Sequence, residues 1–355
     1  MKHIVLTGGG TAGHVTPNIA LIPKLQERGY QISYVGSYQG IEKSLIEELG
    51  IPYYGIASGK LRRYFDLKNF SDPFRVLKGF DQAMRLMKQL KPDVVFSKGG
   101  FVSVPVVIAA GRCKIPAIIH ESDMTPGLAN KLCFSSAAKI CCNFPETADS
   151  LPKEKAVLTG TPIRKELLAG NKESARAFCG FESEKPVMLI IGGSLGAASV
   201  NENIRRILPG LLEHFQIIHL CGKGKLDQSL AGTAGYVQYE YIQKELPDMF
   251  ALADIVISRA GANAICELKE LAKPNLLIPL SAKASRGDQI LNARSFERQG
   301  FSVVMEEEEI TEEKLLQTIL TLYEDRQKYI DAMHGSAHLN SIDQITALIE
   351  SASGK

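Results

Sequence analysis

The chain has 355 residues, more than a single hydrophobic core usually supports, so two domains are expected. Its 45% apolar and 23% charged fractions are those of a folded globular protein and argue against disorder. With 41 basic and 39 acidic residues, the net charge of +2 gives no global reason to expect a nucleic-acid partner.

The seven cysteines are scattered, with neither a Cys-x-x-Cys pair nor zinc-like spacing, and read as reduced, mostly buried thiols. The chain enters an apolar run at Lys2 to Leu6 without the n-region and cleavage site of a signal peptide. No window has the apolar length needed to span a bilayer, so a cytoplasmic protein meeting membranes only at their surface is expected.

Short β-branched runs come first at His3 to Leu6, Gln31 to Val35, Asp93 to Phe96, Ala117 to His120 and Lys139 to Cys142. They alternate with amphipathic stretches, which predicts βαβ units and a parallel sheet. A Pro- and Lys-rich linker is expected from Pro145 to Pro162. A second series follows at Val187 to Ile191, Gln216 to Leu220, Ile255 to Ser258, Asn275 to Ile278 and Ser302 to Met305. From Thr311 onward the apolar spacing of Leu315, Leu316, Ile319, Leu322 and Tyr323, then Ile342, Ile345, Leu348 and Ile349, predicts helices.

Each series opens on a glycine-rich turn. The first strand runs into Thr7-Gly8-Gly9-Gly10-Thr11-Ala12-Gly13-His14, with Pro17 in the first turn of the next helix. The second series begins with Val187 to Ile191, which leads into Gly192-Gly193-Ser194-Leu195-Gly196. Such turns bring backbone N–H groups and a helix N-terminus up to a ligand, so each is expected to receive an anion. Neither has the Gly-x-Gly-x-x-Gly spacing of a dehydrogenase, and strand two of the first half ends in Val35-Gly36-Ser37 with no acidic residue for a ribose. Taken singly, either turn is also what any doubly wound protein would have.

Charge is locally uneven. Between Lys60 and Lys91 stand nine Lys or Arg (Lys60, Arg62, Arg63, Lys68, Arg75, Lys78, Arg85, Lys88, Lys91) against three Asp. Asp72 and Pro73 open a helix whose apolar face is expected to be Val76, Leu77, Phe80, Ala83, Met84, Met87 and Leu90, with Phe65, Phe70 and Phe74 nearby. Basic and aromatic residues together suit an anionic lipid surface; a core-facing helix with a solvated basic side is the plainer alternative.

Several motifs, in order, resemble the MurG family, the membrane-associated N-acetylglucosaminyltransferases of peptidoglycan synthesis. They are Gly9 to Pro17, Gly99-Gly100-Phe101-Val102-Ser103, His120-Glu121-Ser122-Asp123, Gly192 to Ala197, Arg259-Ala260-Gly261-Ala262 with Glu267, and Asp288-Gln289 with Asn292-Ala293. The resemblance implies an α/β chain of two Rossmann-like domains of GT-B type, facing each other across a cleft. It places an acceptor-binding, membrane-associating domain at residues 1–162 and a UDP-sugar-binding domain at 163–355, the last helix packing back on the first domain. UDP-N-acetylglucosamine would be the donor and an undecaprenyl-linked muramoylpentapeptide the acceptor. The enzyme would work on the cytoplasmic face of the membrane as a peripheral protein, without cofactor, metal or nucleic acid. No Asp-x-Asp motif is present, which agrees with a metal-independent transferase.

By the same resemblance, Glu267 takes the ribose hydroxyls, the Ile242 backbone the uracil, and Ser194 and Arg164 the donor diphosphate. Asp288 and Gln289 face the sugar, though the family more often has Gln in place of Asp288. Thr11, Ala12, Gly13, Ala262 and Asp123 complete the UDP-N-acetylglucosamine contacts. His14 and Glu121 are the catalytic candidates; nearby anions would favour charged His14, suiting phosphate binding better than base chemistry. Phe101 and Asp123 stand where the family usually has Tyr and Asn, both on the acceptor side. The rivals are transfer to another acceptor, a non-hydrolysing UDP-N-acetylglucosamine 2-epimerase, and a silent nucleotide-sugar-binding protein.

Overall fold

The computed structural model describes residues 1–59, 72–193, 196–336 and 340–354. Ser194, Leu195 and the basic or aromatic residues Lys60, Arg62, Arg63, Phe65, Lys68 and Phe70 lie outside them, as do the side chains of Asp72 to Phe74. The chain forms two compact units: residues 1–164 with 339–355, and residues 165–338.

The first unit has strands β1 (His3–Thr7), β2 (Gln31–Ser37), β3 (Tyr53–Ile56), β4 (Val94–Ser97), β5 (Ala117–Glu121), β6 (Lys139–Cys142) and β7 (Ala156–Leu158). Its helices are α1 (Thr16–Glu27), α2 (Ile41–Glu47), α3 (Asp72–Leu90), α4 (Ser103–Arg112), α5 (Leu128–Cys133) and α6 (Pro145–Ser150). The strands lie in the order β3-β2-β1-β4-β5-β6-β7 and pair in parallel. Side chains alternate across a strand: Ile4 and Leu6 enter a cluster with Leu21 and Leu25, Val5 one with Val106 and Ile119. Covering both faces requires strands apolar throughout, which is why their sequences are runs.

The second unit has helices α7 (Lys172–Cys179), α8 (Ala198–Arg206), α9 (Leu208–His214), α10 (Leu246–Leu252), α11 (Ala262–Glu270), α12 (Asp288–Arg298), α13 (Glu312–Glu324) and α14 (Arg326–Gly335). Its strands are β8 (Val187–Ile191), β9 (Gln216–Leu220), β10 (Tyr236–Tyr239), β11 (Ile255–Ser258), β12 (Asn275–Leu277) and β13 (Val303–Val304), in the parallel order β10-β9-β8-β11-β12-β13. The final helix, α15 (Ser341–Ser353), belongs to the first unit, where Ile345 and Ile349 join the cluster of Leu21, Leu25 and Tyr30.

The stretch from Pro145 expected as linker is in fact α6 and β7. β3, β7 and β10, which the alternation missed, are three of the four edge strands, short and largely half-buried; the fourth, β13, lies within the expected run from Ser302 to Met305. The expected apolar face of α3 is also divided: Ala83 and Met87 are buried, whereas Val76 and Leu77 are 41% and 66% exposed. Among the described residues no helix is long and apolar enough to cross a membrane.

In both sheets the order reverses beside the first strand, between β1 and β4 and between β8 and β11. A crevice opens at the carboxyl ends of such strand pairs, because the chain leaves them in opposite directions. The glycine-rich turns follow β1 and β8, the Gly99 motif follows β4 and the Arg259 motif follows β11, so topology places these four at the crevices; the His120 motif stands at the end of β5 and the Asp288 motif after β12, on the neighbouring strands.

Candidate functional site

In the first unit the turns after β1 and β4 lie back to back. Gly100 has φ of +87°, and a Cβ there would come within 2.3 Å of the Gly9 carbonyl oxygen, so only glycine lets the turns approach. His14 ends a short 3₁₀ turn, Ala12–His14, and its ring lies over the second turn, Cε1 being 3.6 Å from the Cβ position of Gly99. His14 Nδ1 is 3.1 Å from the Lys98 carbonyl. A carbonyl only accepts, so Nδ1 carries the proton and Nε2 a lone pair. Burial, and then the Lys98 cation, hold the His14 pKa below the ordinary histidine value; Asp123 and Glu42 pull the other way more weakly. Within the protein itself these groups favour the neutral imidazole, the form that accepts a proton.

Lys98 is only 1% exposed, and its ammonium donates to His120 Nδ1 at 2.8 Å and Ser122 Oγ at 2.5 Å. Ammonium cannot accept, so His120 takes that bond at Nδ1 and donates from Nε2 to the Gly160 carbonyl at 2.8 Å. Burial and Lys98 keep His120 neutral, its pKa well below the ordinary value.

Glu121, offered as a catalytic candidate, is committed elsewhere. Its carboxylate accepts from Asp123 N at 3.0 Å, Gly127 N at 2.9 Å and Asn130 Nδ2 at 2.8 Å. Burial raises its pKa against the pull of those donors. A 4% exposed group with three such bonds ties residues 122–127 to β5 and positions Asp123. Thr11 is exposed and Ala12, Gly13, Asp123 and Phe101 half-buried around the same turns, while Arg164, also half-buried, is the last residue of the first unit's long segment.

A cavity of about 930 Å³ opens from these turns, lined among others by Gly9, Thr11, His14, Glu42, Phe101 and the two cations Arg75 and Lys78 of α3.

In the second unit, a Cβ on Gly196 would fall 2.0 Å from the Cys221 carbonyl oxygen, which accepts from Asn201 Nδ2 at 2.8 Å. The described part of the glycine turn is thus pressed against β9, and α8 starts at Ala198. Ser194 lies outside the described residues. Ala262 opens α11 and Glu267 lies half-buried on the same helix; Ile242 is buried just after β10. Asp288 and Gln289 open α12. Asp288 pairs with Arg286 at 2.5 Å, and Gln289 Oε1 accepts from Leu280 N at 3.0 Å, leaving its NH₂ to donate.

Motif reading left out the role of Arg259. Its guanidinium donates to the Ile278 and Pro279 carbonyls at 3.0 and 3.1 Å and to Ser199 Oγ at 3.1 Å, and meets Glu307 Oε1 at 2.6 Å. Glu307 also accepts from Ser281 N at 3.1 Å. Partial burial acts to raise its pKa, but the donors Ser199, Arg259 and Ser281 hold it below the ordinary carboxylate value. One Arg–Glu pair thus fixes the start of α8, the end of β12 and the approach to α12. Glu307 stands in the run Glu306 to Glu309, whose local sequence gives no sign of such a partner.

Models of the glycosyltransferase family 28 N-terminal and C-terminal domains match residues 4–142 and 187–348. A relative from Lachnoclostridium phytofermentans, named UDP-N-acetylglucosamine–N-acetylmuramyl-(pentapeptide) pyrophosphoryl-undecaprenol N-acetylglucosamine transferase, is 67% identical over 350 residues, 99% of each chain. The chain belongs to the MurG family of glycosyltransferases. The solved structure of Acinetobacter baumannii MurG is similar at TM-score 0.77 and 28% identity, covering 99% of this chain and 100% of that one. The UDP-N-acetylglucosamine 2-epimerase of Neisseria meningitidis matches at TM-score 0.71 over 99% of this chain and 100% of its own, but at 14% identity it shares the fold alone. Family membership thus places the epimerase rival at the level of architecture.

Proposed function

We propose that this protein transfers N-acetylglucosamine from UDP-N-acetylglucosamine to the muramoyl 4-hydroxyl of undecaprenyl-diphospho-muramoylpentapeptide. The observation that carries the reading is the 67% identity, end to end, with a relative named for that transfer. The acceptor hydroxyl attacks the anomeric carbon from the face opposite UDP, forming a β-linked product. His14, neutral and with Nε2 unprotonated, takes the hydroxyl proton as the bond forms. UDP leaves as the sugar bond breaks, its charge met by the N-termini of α8 and α11 together with Ser194 and Arg164. Glu267 binds the ribose, the Ile242 backbone the uracil, and the Gln289 amide a sugar hydroxyl. Thr11, Ala12 and Gly13 border the reacting groups, and Asp123 stands where Glu121 holds it. The enzyme docks peripherally on the anionic cytoplasmic face of the membrane through α3 and the basic segment before it, where Val76 and Leu77 are exposed beside Arg75 and Lys78.

The test is purified protein with UDP-N-acetylglucosamine, with and without a lipid-linked muramoylpentapeptide analogue, followed for UDP release and product mass. UDP released only with the analogue, and a product heavier by one N-acetylhexosamine, is the expected result. Conversion of the donor alone, or binding without turnover, would overturn it.

A further inference from the structure

Glu42, in the first turn of α2, is a carboxylate with no solvent exposure, directly beneath the first glycine turn. Its Oε1 accepts from Ser37 N at 2.9 Å and Ser37 Oγ at 2.5 Å, and its Oε2 from Gly10 N at 3.2 Å. Glycines make the room. A Cβ at Gly9 would lie 2.5 Å from Oε1, one at Gly40 2.1 Å from both oxygens, and one at Gly36 2.8 Å from Cγ. Gly9 and Gly40 thus leave the space that the Glu42 carboxylate fills, while a Cβ at Gly36 would meet the Tyr53 hydroxyl before Glu42 Cγ.

The arrangement changes what the turn does. A glycine-rich turn was expected to offer its amides to a substrate anion, yet the Gly10 amide already serves an anion of the protein's own. We infer that Glu42 is a positioning residue: it clasps Gly9–Gly10 from below, sets the height of the turn against Gly100, and so shapes the wall of the 930 Å³ cavity where the acceptor reacts. A second anion beside this buried carboxylate would be repelled, so the cavity next to Gly9 and Gly10 takes a neutral part of the acceptor, its hydroxyls or amides. The acceptor's phosphates are held farther off, toward the cations Arg75 and Lys78 on the same cavity. This inference rests on the transferase reading for its substrate, but not for the clasp itself.

Glu42→Gln keeps shape and size but replaces one acceptor oxygen by NH₂, which must face either the Gly10 or the Ser37 amide as donor against donor. Amide hydrogen exchange by mass spectrometry is expected to quicken about tenfold in peptides covering residues 8–14, the loss of roughly one charge-assisted hydrogen bond, and to stay unchanged around Gly192. The acceptor KM should rise about tenfold while UDP affinity, measured by calorimetry, stays within about twofold. Should Glu42→Gln fail to fold, Glu42→Asp keeps the charge, withdraws it by one methylene and is expected to loosen the same peptides. Unchanged exchange at residues 8–14, exchange that rises evenly through the first unit, or donor and acceptor constants rising together would overturn the proposal. A wild-type protein inactive on the acceptor analogue would instead sink the transferase reading, and the exchange result would still decide the clasp.

Discussion

His14 and Lys98 form a pair whose chemistry depends on one hydrogen bond and one charge. The Lys98 carbonyl fixes the tautomer that leaves Nε2 free, and the Lys98 ammonium helps burial keep the ring unprotonated. A base must be neutral to act, so activity falls as pH drops through the His14 pKa, which lies below the ordinary value of 6.5. Lys98→Met removes one cause of that depression and leaves burial, the carbonyl bond, Asp123 and Glu42. The acid limb of kcat/KM is expected to move to higher pH in this variant, while UDP affinity is retained. An unmoved acid limb would remove the electrostatic role of Lys98. Lys98 was visible in the sequence only as a residue beside Gly99; its burial and its contact with His120 join residues far apart in the chain.

At the scale of elements, α15 shows how a terminal segment becomes part of a distant core. Ile345 and Ile349 have no exposure, and the Tyr30 hydroxyl lies 2.6 Å from Ser353 Oγ. Ile345→Ala is expected to destabilise the first unit by about 2–5 kcal/mol, through lost transfer energy and the cavity left among Leu21, Leu25 and Tyr30. Calorimetry should show the loss in one unfolding transition, with UDP affinity nearly retained; equal loss in both transitions would contradict the assignment of α15 to the first unit. The helical spacing of these residues was legible, since 3.6-residue periodicity is local. The edge strands β3, β7 and β10 were not: Tyr53–Ile56 and Tyr236–Tyr239 interrupt their apolar residues with Gly55 and Gln238, and Ala156–Leu158 is only three residues long.

For the whole molecule, the charge distribution matters more than the sum. The net +2 conceals a segment with nine Lys or Arg against three Asp between Lys60 and Lys91. On α3, Arg75 and Lys78 are exposed with Val76 and Leu77 between them. Each basic side chain near an anionic surface contributes about 1 kcal/mol, so reversing charge at Arg62, Arg63, Arg75 and Lys78 is expected to weaken binding to phosphatidylglycerol vesicles by at least about a hundredfold. Co-sedimentation unchanged by the reversals would end the docking proposal. By itself the sequence determined the alternation of strands and helices, the two glycine turns, the resemblance that fixed the family, and the local charge; all follow from periodicity, backbone chemistry or motif order along the chain. Only the tertiary structure decided that burial and Lys98 lower the His14 pKa, that Glu121 accepts from its own loop, that Arg259 meets Glu307, and that Glu42 occupies an amide of the first glycine turn. Burial and partnership set those properties, and both depend on which distant segments the two sheets bring together.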